Sequence, residues 1–273
     1  MDIKGDGFLS EDMEPVIQWY RAKYADAFRM VIELSRLAQA QLPSIGGPPR
    51  TVRSLFASAY FIRAVQTCQG AVVMAERGMF TEAYTMLRGG IETLFYLGAS
   101  IVEKDLGEGR DHVQRTKTAA YHHMKRIKEI KPDSDTSHLE SVIDTMMEQG
   151  TEPSALQIKA VAAKAKLDWM HETLYQQLSV AHAHPTPNSL KLILEFDADQ
   201  NPIGIGWGPV RGDTGEFVEV LKLNYMVLNR ILREWFEFRP NPLGEQRLAE
   251  IDAEYDLFIK SKAEKANHAT PTS

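Results

Sequence analysis

The chain has 273 residues, of which 44% are hydrophobic and 25% charged, with a formal net charge of -6. That length and composition suit a globular protein with a substantial core and exclude a disordered or fibrous one. The negative balance excludes a global electrostatic pull toward nucleic acid or an anionic membrane, and the single cysteine, Cys68, excludes an internal disulfide or a cysteine-based zinc site.

Met1 to Gly5 lack a basic segment followed by an apolar one, so no secretory signal is read there. The longest apolar stretch, Ile91 to Val102, is interrupted by Glu92 and is far short of the roughly 20 residues a membrane span needs. A cytoplasmic protein with no membrane partner is the expectation. Ser10 ahead of Glu11 and Asp12 is a helix start, an N-cap oxygen followed by acids that the helix dipole favours. From there to about Leu42, Val16, Ile17, Tyr20, Tyr24, Phe28, Val31, Ile32 and Leu34 recur at helical spacing. The proline- and glycine-rich run from Pro43 to Pro49 ends that helix. A second helix is predicted from about Arg50 to Arg77, stopped by Gly78, and a third from Thr81 to about Asp105. A fourth spans about Asp111 to Ile130, a shorter one reaches Met147, and one or two more run from Ser154 to His182.

The pattern changes at Pro185. Leu190 to Phe196 is rich in Leu, Ile and Phe, Asp197 to Pro202 is turn chemistry, and Ile203 to Trp207 alternates with glycine, which reads as a β-hairpin. A long helix is then predicted from Asp213 to Phe238 with Leu221, Tyr225, Leu228, Leu232 and Trp235 on one face, and a last one from Leu243 to Lys260. The fold class that follows is all-α, a multi-helix bundle with one short β excursion near residues 190–208. It reads as a single helical domain over residues 1–262 with a disordered tail over 263–273.

Two segments carry polar chemistry inside apolar helical patterns, Leu87 to Tyr96 and Leu174 to Pro185. On the first, Arg88 and Glu92 flank the core stripe of Phe80, Ala83, Tyr84, Leu87, Ile91, Leu94 and Phe95, and their spacing of four allows them to pair. The glycines between them, Gly89 and Gly90, each cost on the order of 1 kcal/mol relative to alanine in a helix interior, which predicts close packing of a backbone or a ligand. On the second, His171, Tyr175, Ser179 and His182 share one face beside the stripe of Leu167, Met170, Leu174, Leu178 and Ala181. A phenol, a hydroxyl and an imidazole so placed can bind an anion or perform acid–base chemistry. They can equally form a satisfied hydrogen-bond ladder that locks two helices.

An Arg-x-x-x-Glu helix followed by Tyr-x-x-x-Ser and a histidine near a Pro-rich break resembles a family of bacterial helical proteins defined as a domain of unknown function. The resemblance runs from about Phe56 to Phe236 and maps onto Arg88, Glu92, Tyr175, Ser179 and either His182 or His184. It brings no activity with it. The all-helical plan is also distantly similar to nucleotide-binding and ribonuclease domains of toxin and phage-defence systems, some of which carry Arg and His a short spacing apart. Arg115 and His122 meet the longest such spacing, a match expected by chance for so loose a motif.

The candidate catalytic set is therefore His182, Arg88, Glu92, Tyr175 and Ser179, with no cofactor and no metal. As an enzyme the chain would be a metal-independent, ribonuclease-like hydrolase directed at a nucleotide or RNA. As a non-enzymatic interaction module it would use the same residues as a helix–helix lock and its exposed faces for a partner or a second copy. Other motifs carry less. Glu-x-x-His pairs for a di-iron bundle are absent, and His182 and His184 diverge by about 200° on a helix. Gly204 to Gly208 lacks the Lys-Ser/Thr of a phosphate loop, and Lys125 to Lys131 reads as a solvated helix face.

Overall fold

The computed structural model describes residues 6–45, 51–102, 123–133, 135–137, 157–183, 190, 194–197, 199, 201–205 and 215–268, without the side chains of residues 182, 183, 195, 196, 202 and 262–268. The fold is all-α, a multi-helix bundle with one short hairpin. The chain divides into two compact units, one of Met1–Gly47, Tyr60–Leu94 and Trp169–Ser273, the other of Pro48–Ala59 and Phe95–Asp168. Their segments alternate along the chain.

In the first unit Ser10 caps as expected, its Oγ accepting the Asp12 N–H at 3.1 Å, but the turn it opens is a 3-10 turn, Glu11–Met13. The helix predicted to continue to Leu42 is broken. α1 spans Glu14–Lys23 and α2 spans Ala25–Gln39. Between them Tyr24 leaves helical geometry at φ -115°, ψ 32°, and its ring lies 5.5 Å from that of Phe217. That tertiary contact is invisible to periodicity. α3, Val52–Glu76, and α4, Phe80–Val102, are joined by a turn at Gly78, whose φ is 73°. The Gly78 N–H donates to Ala75 O at 2.9 Å and the Met79 N–H to Met74 O at 3.1 Å, the paired bonds that close a helix on a left-handed residue.

The core of this unit is aromatic. Tyr20 stacks on Phe217 at 4.8 Å and meets Phe80 edge-on at 5.9 Å, and Trp235 stacks on Phe61 at 4.4 Å. Burying a side chain of phenylalanine size contributes roughly 1.5–3 kcal/mol. Phe217 and Trp235 lie on α7, Glu216–Phe238, whose predicted face of Leu221, Tyr225, Leu228, Leu232 and Trp235 is buried throughout. The last helix, α8, spans Pro242–His268 and so runs past its expected end at Lys260. Ala263, Glu264, Lys265 and Ala266 are strong helix formers, and intrinsic preference extends the helix where apolar periodicity has stopped. Residues 269–273 lie outside the described residues.

The hairpin pairs β1, Leu194–Phe196, antiparallel with β2, Pro202–Ile205, matching Leu194 to Ile205 and Glu195 to Gly204 with an irregularity before Phe196. Its turn is organised by Asp197, whose Oδ1 accepts the N–H groups of Asp199 and Asn201, both at 2.9 Å. Gly204 is thus a strand residue, and residues 206–208 of that motif lie outside the described residues.

In the second unit α5, Ile158–Lys164, buries Val161 and Ala162. It ends on Lys166, which takes a left-handed φ of 58°. The Lys166 N–H donates to Ala163 O at 3.0 Å and the Leu167 N–H to Ala162 O at 2.9 Å, the closure seen at Gly78 but without a glycine. Arg53 Nε donates to Ser100 O at 3.0 Å. Residues 123–130 are helical with Lys125, Arg126 and Lys128 exposed, a solvated face. Arg115, His122 and most of the helix predicted through Met147 lie outside the described residues.

Candidate functional site

The histidine–tyrosine–serine face is carried by α6, which is not a uniform α-helix. Asp168–Met170 is α, His171–Tyr175 is π, Gln176–Leu178 is α and Ser179–Ala183 is π again. In the first π turn the Gln176 N–H bonds to His171 O, five residues back. A spacing of four overshoots one α turn and undershoots a π turn, so alternating the two runs the residues four apart in a nearly straight line along the axis. His171, Tyr175 and Ser179 lie on that line. The 3.6-residue periodicity placed them on one face for the right side of the helix but could not show this geometry.

α4 supplies the residue that meets them. Arg88 Nε donates to Ser179 Oγ at 2.7 Å and Nη2 to the Tyr175 phenol oxygen at 2.7 Å, with the guanidinium carbon 4.8 Å from the Tyr175 ring centroid. On the same ring His171 stacks at 5.3 Å with 20° between planes. His171 and Tyr175 are buried and Arg88, Glu92 and Ser179 half-buried. The Arg88–Glu92 pair that the spacing allows does not form. Arginine preceding glutamate is the weaker order on a helix, and here the two hydroxyls of α6 draw the guanidinium away. Among the described residues Glu92 has no hydrogen-bond or ion-pair partner. Its charge nevertheless reaches Tyr175. Burial raises the phenol above its ordinary pKa, Glu92 adds to the rise, and Arg88 with Ser179 opposes it.

Residues 55–202 match the model of a family described as "Family of unknown function (DUF5677)". The match covers 148 residues (202 − 55 + 1) of the 273 in the chain, more than half. The chain belongs to that family. No curated protein matches it, and no solved structure does either.

Every residue of the constellation falls inside the DUF5677 match, from Arg88 and Glu92 on α4 to His171, Tyr175, Ser179 and His182 on α6. The backbone of His182 is in the second π turn, while its side chain and all of His184 lie outside the described residues. The glycines of α4 behave differently from expectation. A Cβ on Gly89 would meet nothing nearer than Thr67 Cγ2 at 3.9 Å, and one on Gly90 would lie 3.5 Å from Cys68 Sγ, ordinary contact in both cases. The tight glycine of this pair of helices is Gly70 on α3, where a Cβ would come within 2.3 Å of Met86 Cε. A lone glycine in an apolar helix gave no signal of it.

Other polar groups of the DUF5677 chain bond one helix to another. Asp252 on α8 accepts from Tyr225, at 2.6 Å, and from Asn229 and Arg233 of α7, while Tyr255 stacks on Tyr225 at 3.7 Å. Buried Asn224 donates to Cys68 O at 2.7 Å, and buried Glu76 takes a two-bond ion pair from Arg21 at 2.6 and 2.9 Å. The apolar face of α7 is core. Among the described residues no helix is long and apolar enough to cross a membrane, and no group of three or more His, Cys, Asp or Glu is arranged to hold a metal.

Proposed function

We propose that Arg88, Tyr175 and Ser179 form a binding site for a phosphate group of the kind a nucleotide or RNA carries. One observation carries the reading: the Arg88 charge is oriented by two neutral hydroxyls, and among the described residues no carboxylate neutralises it. A half-buried guanidinium without a counterion is costly to keep unless an anion completes it. The hydrogen-bond count has the same sign. Ser179 Oγ and the Tyr175 oxygen each accept from Arg88, and the guanidinium N–H groups beyond those two bonds remain donors. An acceptor-only group such as a phosphate oxygen fits that surplus. The π turns of α6 support it, since such turns are concentrated at functional sites. If the site cleaves a phosphoester, the acid–base group comes from the histidines of α6, His182 in the first place, and the reaction is metal-independent as written.

The competing reading is a helix–helix lock in a non-enzymatic interaction module, favoured by the fact that the same two bonds tie α4 to α6. Isothermal titration with adenosine 5′-monophosphate separates them. The site reading expects binding that Arg88→Ala abolishes while the variant stays folded by circular dichroism. Absence of binding to the wild type, with an unfolded Arg88→Ala, would leave the lock. An RNA cleavage assay on wild type and His182→Ala then decides whether bound phosphate is also processed.

A further inference from the structure

We propose that Glu92 is the second anchor of the site and takes a hydroxyl of a phosphorylated sugar whose phosphate lies on Arg88. This rests on the phosphate reading above and names the ligand class. Residues four apart on a helix hold their Cβ atoms about 5–6 Å from one another, so Glu92 presents a carboxylate one turn from the guanidinium. Side chains on a helix lean toward its N-terminus, which tips Glu92 back toward Arg88. Yet Arg88 spends its bonds on α6, and Glu92, half-buried, has no partner among the described residues. Two opposite charges one helical turn apart are thus not joined in an ion pair.

That arrangement has a chemical complement. A ligand with only acceptor oxygens, such as inorganic phosphate, satisfies the donors around Arg88 but brings its charge against Glu92. A phosphate ester of a polyol satisfies both, giving acceptors to the Arg88 guanidinium and an O–H donor to Glu92. The carboxylate therefore works as a filter: it penalises the bare anion and rewards the one that carries hydroxyls a few bonds from phosphorus. Specificity of this kind is large when a site's polar group is left unpaired by the wrong ligand. The geometry is supported by the phenol of Tyr175, which burial raises above its ordinary pKa and the Glu92 charge raises further.

The test is calorimetric titration of the full chain with inorganic phosphate, ribose 5-phosphate and adenosine 5′-monophosphate, in wild type, Glu92→Gln and Arg88→Ala. Wild type should bind ribose 5-phosphate at least about tenfold more tightly than inorganic phosphate, a ratio worth about 1.4 kcal/mol. Glu92→Gln should move the two in opposite directions, strengthening inorganic phosphate and weakening ribose 5-phosphate, so that the preference collapses. Comparison of ribose 5-phosphate with the nucleotide tells whether the free sugar phosphate or the nucleoside is the better source of that chemistry. Equal shifts for both ligands in Glu92→Gln, or none, would overturn the role of Glu92 while leaving the phosphate site intact. Failure of all three ligands to bind wild type, or binding untouched by Arg88→Ala, would overturn the phosphate reading itself and this inference with it.

Discussion

At the scale of single residues the decisive feature is a guanidinium whose bonds go to neutral oxygens. A buried Arg–Glu pair stripped of one partner costs about 3–5 kcal/mol because a charge is left uncompensated. Arg88 has no such partner, and the hydroxyls it leaves behind can bond to each other or to water. Arg88→Ala should therefore lower stability by less than about 1 kcal/mol in urea melts, whereas a lock would lose more than about 2 kcal/mol. The placement of Arg88 opposite Tyr175 and Ser179 was legible in the sequence because both polar rows border apolar stripes, and stripes pack together. The fate of Glu92 was not. Spacing alone says that two charges can meet, while the choice between a neighbour on the same helix and two hydroxyls on another is settled by packing. The stacking of His171 on Tyr175 was similarly hidden, since a histidine on the right face has no signature that separates a stacked ring from a solvated one.

At the scale of elements, glycines sort by what surrounds them. Gly89→Ala introduces a methyl group into ordinary contact distance and should stabilise the protein by up to about 1 kcal/mol through helix preference. Gly244→Ala, on α8, places a Cβ 2.7 Å from Phe236 Cζ and 2.9 Å from Cε1, and should cost about 1–3 kcal/mol because a packed ring must move. Thermal melts of the two variants should shift in opposite directions. The same logic inverts at the end of α5. Lys166 holds a left-handed backbone that glycine adopts without strain, so Lys166→Gly should raise stability by roughly 0.5–1 kcal/mol; a lower melting temperature would count against that account. Most helices here were legible because their apolar rows are long. The break at Tyr24 was not, because a contact with Phe217 distant in sequence accompanies it, and the helical stretch past Lys260 was not, because it rests on preference without a pattern.

At the scale of the whole molecule the response to pH follows from groups held away from their ordinary ionisation. Burial raises the phenols of Tyr84, Tyr175, Tyr225 and Tyr255, reinforced by the neighbouring carboxylates of Glu216 for Tyr84, Glu92 for Tyr175, Asp252 for Tyr225 and Glu219 for Tyr255. A phenol raised in the folded state favours folding fully below its ordinary pKa of 10.0, and that contribution is lost as the pH climbs through the folded value. Stability should thus hold up to about pH 10 and decline above it. Tyrosinate absorbance of the native protein should lag behind that of the unfolded chain, and coincident titration curves would contradict the placement of these rings. On the acid side Glu33 is lowered by its bond to Arg247; its contribution is present above the ordinary carboxylate range and lost as the pH falls through the folded value.

The alternating turns of α6 have a consequence for chain length. A turn closed over five residues holds one more than a turn closed over four, so α6 carries two surplus residues without leaving the helix. Deleting one of them, Thr173 for example, would let the first π turn relax to an α turn and keep the segment helical. Each residue on an α-helix advances about 100°, so His171 would swing out of line with Tyr175 and Ser179 while the helix content stayed the same. The geometry of the candidate site is therefore a matter of counting, and a one-residue change in length between Met170 and Ala183 would misalign it in a protein that still folds.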